Sequence, residues 1–125
     1  MEPVSLVIPI FKEAETIDAV IREISAAYRQ DIIVADGGSA DGTQAIARAA
    51  GARVVCAGRG YGRACAVGAE RAHPCSTVIA FMDGDNSDRG DLIAEIARPV
   101  LDGIRDFVLA SRMRGKREPG AMLWY

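Results

Sequence analysis

Two aspartates separated by a single glycine, Asp83-Gly84-Asp85, follow an apolar run of strand length. Carboxylate oxygens bind hard divalent cations, and the small middle residue leaves room for a cation that also holds the oxygens of a diphosphate. Acidic clusters before a helix can instead cap that helix, a role that Asp88 and Asp91 also fit. An EF-hand does not match, because its invariant glycine would fall at Asp88 and its bidentate glutamate at Ala94. The spacing therefore predicts a metal and diphosphate site.

Three further segments carry residues suited to a nucleotide. Backbone N–H groups of the glycine-rich residues 58–63 could cradle phosphates, with Arg59 or Arg63 adding positive charge, although a flexible turn is the alternative. Asp36 ends a predicted strand, where doubly wound folds place an acid that contacts a ribose or a base edge. Glu13 could reach the same nucleoside or favour a helix N-terminus. Neither a dinucleotide fingerprint nor a P-loop is present.

The elements that must position these residues alternate between apolar runs of strand length and segments of helical period. We expect strands at residues 4–11, 32–35, 53–56, 78–82 and 107–110, buried on both faces because they are so uniformly apolar. The alternation is typical of the α/β class, with a doubly wound, mainly parallel sheet and helices on both faces. Ligands bind such sheets outside the carboxyl ends of the strands, and all four polar segments lie there.

The crossover helices are predicted from apolar residues at helical spacing. The first extends to Tyr28, with Thr16 placed to cap its start. Small residues dominate positions 62–72, so we expect that helix to pack very close to the sheet. Another helix spans about 89–97, after which Pro99 perturbs or ends it, because an interior proline removes a backbone donor.

Composition excludes several classes of protein. With 125 residues, half of them hydrophobic, the chain can form one compact domain. A net charge of -2 and few aromatics predict no nucleic-acid partner. No apolar run is long enough to span a membrane, and the first residues do not resemble a signal peptide. We therefore expect a cytoplasmic protein. Cys56, Cys65 and Cys75 fit a reducing compartment and are expected to be buried structural thiols. The single histidine, His73, argues against a histidine-dependent hydrolase.

Taken together, the segments resemble family 2 glycosyltransferases of the GT-A fold, and more narrowly bacterial polyprenyl-phosphate hexose synthases. The resemblance is carried, in order, by VSLVIPIFKEAETI, DIIVADGGSADGT, GRGYGRACAVGAERA, VIAFMDGDNSD and DFVLASRMRG. It implies an inverting transfer of a sugar from a nucleoside diphosphate-sugar to an acceptor such as a polyprenyl phosphate. It also implies a divalent cation, Mg²⁺ or Mn²⁺, and, with a lipid acceptor, work at the inner face of the cell membrane.

The same resemblance implies roles for individual residues. Asp83 and Asp85 would be the catalytic DxD pair, with Asp85 on the metal. The nucleotide-binding residues would be Pro9, Phe11, Glu13, Asp36, Arg59, Gly60 and Asp83. Many relatives have a second aspartate where this chain has Gly37, so the base contact is expected from Asp36 alone.

We interpret residues 1–111 as a nucleotide-sugar-binding subdomain and residues 112–125 as a mobile loop followed by the start of an acceptor-side segment. The loop holds five charges, two glycines and a proline, and the segment AMLWY after it is apolar. The acceptor site and carboxylate base of the resembled family lie beyond the matched stretch. We therefore expect this chain to bind a nucleotide without completing transfer, and self-association through the apolar end is an open alternative.

Two other functions are alternatives to a transferase. A non-catalytic nucleotide-binding fragment or pseudoenzyme would bind the nucleotide without transferring a sugar. A sugar nucleotidyltransferase shares the sheet and the metal carboxylates, but its first loop is rich in glycine and contains arginine. Here that loop is PIFKE, without glycine, which argues against the nucleotidyltransferase.

Overall fold

The computed structural model describes residues 2–85 and 90–105, which form a parallel sheet with helices on both faces. The elements are β1 (Val4–Ile10), α1 (Ile17–Glu23), β2 (Asp31–Asp36), α2 (Thr43–Ala49), β3 (Arg53–Cys56), α3 (Tyr61–Glu70), β4 (Val78–Phe81) and α4 (Ile93–Leu101). The strands lie in the order β3-β2-β1-β4, so the chain crosses back over the sheet between β3 and β4. This is the doubly wound, parallel arrangement predicted from the alternating elements.

The two central strands, β1 and β2, are buried along their whole length, as their apolar sequences predict. The outer strands β3 and β4 are only partly buried, so the expectation of burial on both faces was wrong for them. On β4, Ile79 and Phe81 are 40% and 46% exposed. Within the described ranges, α4 packs against one face of β4, while α3 lies over β1 and β2 on the other. The side chains of Ile79 and Phe81 lie on that second face, which α3 does not cover at β4.

Alternate residues of β1 serve the two faces of the sheet. Leu6, Ile8 and Ile10 belong to the larger core, which includes residues of α1, α2 and α4. Val7 points the other way and packs with Ala64 of α3. A Cβ added at Gly68 would lie 2.4 Å from Cγ1 of Val7, so α3 approaches the sheet as closely as its small residues predict. This contact seats the N-terminus of α3 at the carboxyl ends of the strands.

Two helix boundaries differ from the prediction. Helix α1 ends at Glu23, and a separate 3-10 helix (Ala26–Tyr28) follows because Ile24 adopts an extended conformation. Tyr28 is buried all the same, which is why its spacing looked helical. Helix α4 contains Pro99 and continues to Leu101, so the proline does not end it. Pro99 lacks one backbone N–H donor, but near the last turn this removes little of the hydrogen bonding along the helix. The helix ends before Gly103, whose φ is +75°.

An ion pair between buried Asp31 and half-exposed Arg53 joins the amino ends of the strands, opposite the ligand side. Asp31 is 5% exposed and accepts hydrogen bonds from Nε and NH2 of Arg53 at 2.9 and 3.1 Å. It also accepts from the Ser5 hydroxyl at 2.7 Å and the His73 backbone N–H at 3.0 Å. Burial alone would raise the pKa of Asp31, but these donors outweigh it and hold the pKa below its ordinary 3.8. The carboxylate ties β1, β2 and β3 together.

The cysteine prediction was largely wrong, since Cys56 and Cys75 are exposed and Cys65 is half-buried. All three are free thiols. In the described part of the chain, no helix has the length and apolar character needed to cross a membrane. The predicted strand at 107–110, Asp88 and the segment 112–125 lie outside the described residues.

Candidate active site

A pocket opens at the carboxyl ends of the strands. β2 pairs with one side of β1, and β4 pairs with the other side. The strand order therefore reverses at β1, and in doubly wound folds such a switch point forms the ligand crevice. The pocket has a volume of about 530 Å³, within the range of small-molecule sites. Its lining residues are Pro9, Ile10, Phe11, Glu13, Gly37, Arg59, Gly60, Tyr61, Ala64, Asp83, Gly84 and Asp85. Of the residues predicted for the site, all line the pocket except Asp36 and Arg63, the alternative to Arg59.

The loop after β1 turns sharply at Lys12, which has a φ of 56°, a left-handed conformation uncommon for residues other than glycine. The Lys12 backbone N–H donates to the Ser39 hydroxyl at 2.7 Å, which holds this turn against the loop after β2. Phe11 and Glu13 flank Lys12, and both line the pocket. The turn therefore sets an aromatic ring and a carboxylate at the same rim.

The loop after β3 brings Arg59 over the ring of Phe11, with 3.9 Å between the guanidinium carbon and the ring centroid. Such a cation–π contact places a positive charge at the rim of the pocket. Arg63, the other predicted source of charge, does not line the pocket. Its Nε donates to the carbonyl of Ala57 at 2.7 Å, and its side chain lies against Gly58. Arg63 thus holds the loop, and Arg59 is the arginine presented to a ligand.

Asp36 lies beneath the pocket and is 0% exposed. Its carboxylate accepts hydrogen bonds from the Ser39 N–H at 2.9 Å, the Ser39 hydroxyl at 2.5 Å and Nε2 of Gln44 at 2.6 Å. Burial opposes ionisation, but these donors and the N–H of Gly38 hold the pKa of Asp36 below its ordinary value. Gly37, next in the chain, lines the pocket in its place. In this position Asp36 shapes the loop after β2 and does not line the pocket.

The loop after β4 carries Asp83, which is half-buried, and Asp85, which is exposed. Both line the pocket, with buried Gly84 between them. A Cβ at Gly84 would lie 2.4 Å from Cγ2 of Ile10, so only glycine lets this loop rest against β1. The Thr16 hydroxyl contacts the Gly84 carbonyl at 2.6 Å. This contact was not predicted, since the spacing of Thr16 indicated only a helix cap.

The donor set fits a hard divalent cation in part. Two carboxylates are suitable oxygen ligands for Mg²⁺ or Mn²⁺, which in nucleotide sites take further ligands from phosphates and water. Within residues 2–85 and 90–105, no group of three or more His, Cys, Asp or Glu side chains is placed to hold a metal. Asp83 and Asp85 can therefore supply two ligands, and a diphosphate would supply others.

Comparison with known proteins identifies the family of this chain. The model for glycosyl transferase family 2 matches residues 5–125. The chain belongs to glycosyltransferase family 2. Glycosyltransferase AglJ of Haloferax volcanii is 34% identical over 122 residues, covering 97% of this chain and 39% of that protein. The undecaprenyl-phosphate 4-deoxy-4-formamido-L-arabinose transferase of Sodalis glossinidius is 28% identical, covering 94% of this chain and 39% of that protein.

Similarity to a solved structure confirms the predicted GT-A fold. Glucosyl-3-phosphoglycerate synthase from Mycobacterium tuberculosis, in complex with Mn²⁺, UDP and phosphoglyceric acid, matches with a TM-score of 0.64 and 29% identity. The match covers 78% of this chain and 38% of that enzyme. The same enzyme has also been crystallised with Mg²⁺ and UDP. This chain spans about two fifths of the length of each of these three proteins.

Proposed function

We propose that this family 2 chain binds the nucleoside diphosphate-sugar donor of an inverting glycosyltransferase. One observation carries the proposal: a single pocket brings together Phe11, Arg59 and the Asp83–Asp85 pair from loops after three different strands. An aromatic ring, a cation and two carboxylates are suited to a base, a diphosphate and its counter-ion. The GT-A enzyme crystallised with Mn²⁺ and UDP supports this choice of ligand.

In the proposed mechanism, Asp83 and Asp85 would hold a divalent cation, which when bound supplies the charge that offsets the departing diphosphate. Arg59, seated on Phe11, would orient the base or the α-phosphate, and Glu13 would accept a hydrogen bond from the nucleoside. Gly60 precedes α3, whose first N–H groups can add partial positive charge beside the phosphates. These residues would orient the donor so that its anomeric carbon faces the acceptor.

The proposed acceptor carries a phosphate. One relative is named for undecaprenyl phosphate, and the solved enzyme was crystallised with phosphoglyceric acid. A phosphate oxygen is already anionic, so it can attack the sugar with little help from a general base. For a lipid phosphate the reaction would take place at the cytoplasmic face of the membrane.

A transfer assay tests the proposal and its main rival, a nucleotide-binding protein without transferase activity. The protein is incubated with a radiolabelled UDP-sugar or GDP-sugar, Mn²⁺ and a membrane lipid extract, and label in the organic phase is counted. Transfer that is lost on adding EDTA supports the proposal. Because this chain alone is expected to bind the nucleotide without completing transfer, the assay is also run on a version extended beyond Tyr125 to the length of its relatives. Tight UDP binding without transfer by that longer version would favour the rival, and label transfer undiminished in EDTA would overturn the role of the cation.

A further inference from the structure

Thr16 stands directly before α1, where a threonine hydroxyl ordinarily accepts a hydrogen bond from the first turn of the helix. No such bond is present here. The hydroxyl instead lies 2.6 Å from the carbonyl oxygen of Gly84, 68 positions away in the sequence. The Glu13 carboxylate is farther away, at 3.2 Å. A hydroxyl has one proton to donate, and the shorter contact assigns it to the Gly84 carbonyl.

We propose that Thr16 is a positioning residue for the metal-binding loop. Its hydroxyl fixes the peptide unit between Gly84 and Asp85, in the loop whose Asp83 and Asp85 carboxylates would hold the cation. The inference rests on the function proposed above. To the residues of that function, the inference adds one that would contact neither the nucleotide nor the metal.

Packing at the Cα of Gly84 supports this role. Gly84 is buried against β1, where Cγ2 of Ile10 and Cγ2 of Ile8 leave no room for a side chain. The loop is thus held by apolar contact from β1 and by a hydrogen bond from the start of α1. Restraint of the backbone between Asp83 and Asp85 would keep their carboxylates in a geometry suited to a cation. Supporting hydrogen bonds of this kind commonly tune metal affinity.

The hydroxyl also connects the two halves of the pocket. Glu13, at the nucleoside side, lies within hydrogen-bond distance of the same oxygen that bonds the loop of Asp83 and Asp85. Because its shorter contact is to the loop of Asp83 and Asp85, removing the hydroxyl should affect metal-dependent nucleotide binding more strongly than binding of the nucleotide alone.

The test compares Thr16→Val, which keeps the shape and removes the hydroxyl, with Thr16→Ser, which keeps the hydroxyl. Thr77→Val, at an exposed site before β4, is the matched control. Free Mn²⁺ is measured by electron paramagnetic resonance in the presence of UDP, and UDP affinity is measured separately in EDTA. We expect Thr16→Val to weaken Mn²⁺ binding about fivefold, as the loss of one hydrogen bond does. Thr16→Ser and Thr77→Val should stay within about twofold of wild type.

Three results would overturn the inference. Thr16→Val could bind Mn²⁺ as well as wild type, Thr16→Ser could be as weak as Thr16→Val, or Thr16→Val could weaken UDP binding in EDTA by the same factor. Circular dichroism melting of each variant separates a local effect from a general loss of folding. A wild-type protein that binds no Mn²⁺ with UDP would instead overturn the proposed function, and the inference with it.

Discussion

Replacement of Gly84 by alanine should destabilise the whole domain because the loop that contains it rests on β1. The new Cβ would lie 2.4 Å from Cγ2 of Ile10, where ordinary van der Waals contact begins near 3.4 Å. Ile10 is buried, and its backbone is paired with Asp36 of β2, so neither the side chain nor this end of the strand can move away freely. The φ of Gly84 is not in the left-handed region, so the effect is one of space alone.

Overpacking of a core by one methyl group costs about 1–3 kcal/mol, against a total stability of about 5–15 kcal/mol for a typical domain. We therefore expect Gly84→Ala to lower the melting temperature by about 4–12 °C. Urea unfolding followed by far-ultraviolet circular dichroism gives the free energy directly.

Gly62→Ala is the matched control, because a Cβ at Gly62 in α3 meets no atom within 4 Å. Alanine is the better helix former, so this variant should be neutral or stabilised by up to about 1 kcal/mol. Both variants add one methyl group, and only their surroundings differ. If Gly84→Ala unfolded within about 0.5 kcal/mol of wild type, the proposed packing of the metal loop on β1 would be refuted.

Three further predictions concern single side chains. Asp36→Asn should lower the free energy of unfolding by about 2 kcal/mol, because donors from Ser39 and Gln44 lose a charged acceptor; normal stability with weak UDP binding would instead restore Asp36 as a base contact. Arg59→Ala should weaken UDP binding about fivefold in calorimetry, with or without Mn²⁺, and unchanged affinity would remove it from the site. The folded-state pKa of Asp31 lies below 3.8, so its stabilising contribution is complete above that pH and is lost as the pH falls through the folded pKa. Asp31→Asn should therefore flatten the acid side of a stability–pH curve measured by urea unfolding, and an unchanged curve would contradict this role of Asp31.

Much of the fold could be predicted because burial and periodicity decide it locally. The apolar runs of β1 and β2 mark central strands, and the small residues of α3 mark a helix lying close on the sheet. The exposure of Ile79 and Phe81 could not be predicted in this way. An apolar pattern shows that a side chain is suited to burial, but the order of the strands decides which faces are covered.

The site was predictable to the level of its loops, because carboxyl ends of parallel strands converge on one edge. The direction of each side chain was not. Asp36 has a residue type suited to a nucleoside, yet Ser39 and Gln44 hold it under the pocket. Thr16 occupies a capping position, yet its hydroxyl bonds a loop that folds onto it from far along the chain. Such contacts depend on tertiary packing, so the spacing of residues in the sequence does not predict them.

The central claim is that Asp85 contributes to metal-dependent binding of a nucleoside diphosphate. Calorimetric titration of UDP, in Mn²⁺ and in EDTA, tests it most directly with wild type, Asp85→Ala and Asp18→Ala, a control at a half-buried aspartate of α1 that does not line the pocket. For a cation bridging carboxylate and diphosphate, we expect Mn²⁺ to strengthen UDP binding by at least about tenfold in wild type and in Asp18→Ala. In Asp85→Ala the two affinities should be nearly equal. Equal affinity in Mn²⁺ and EDTA for the wild-type protein would contradict the claim.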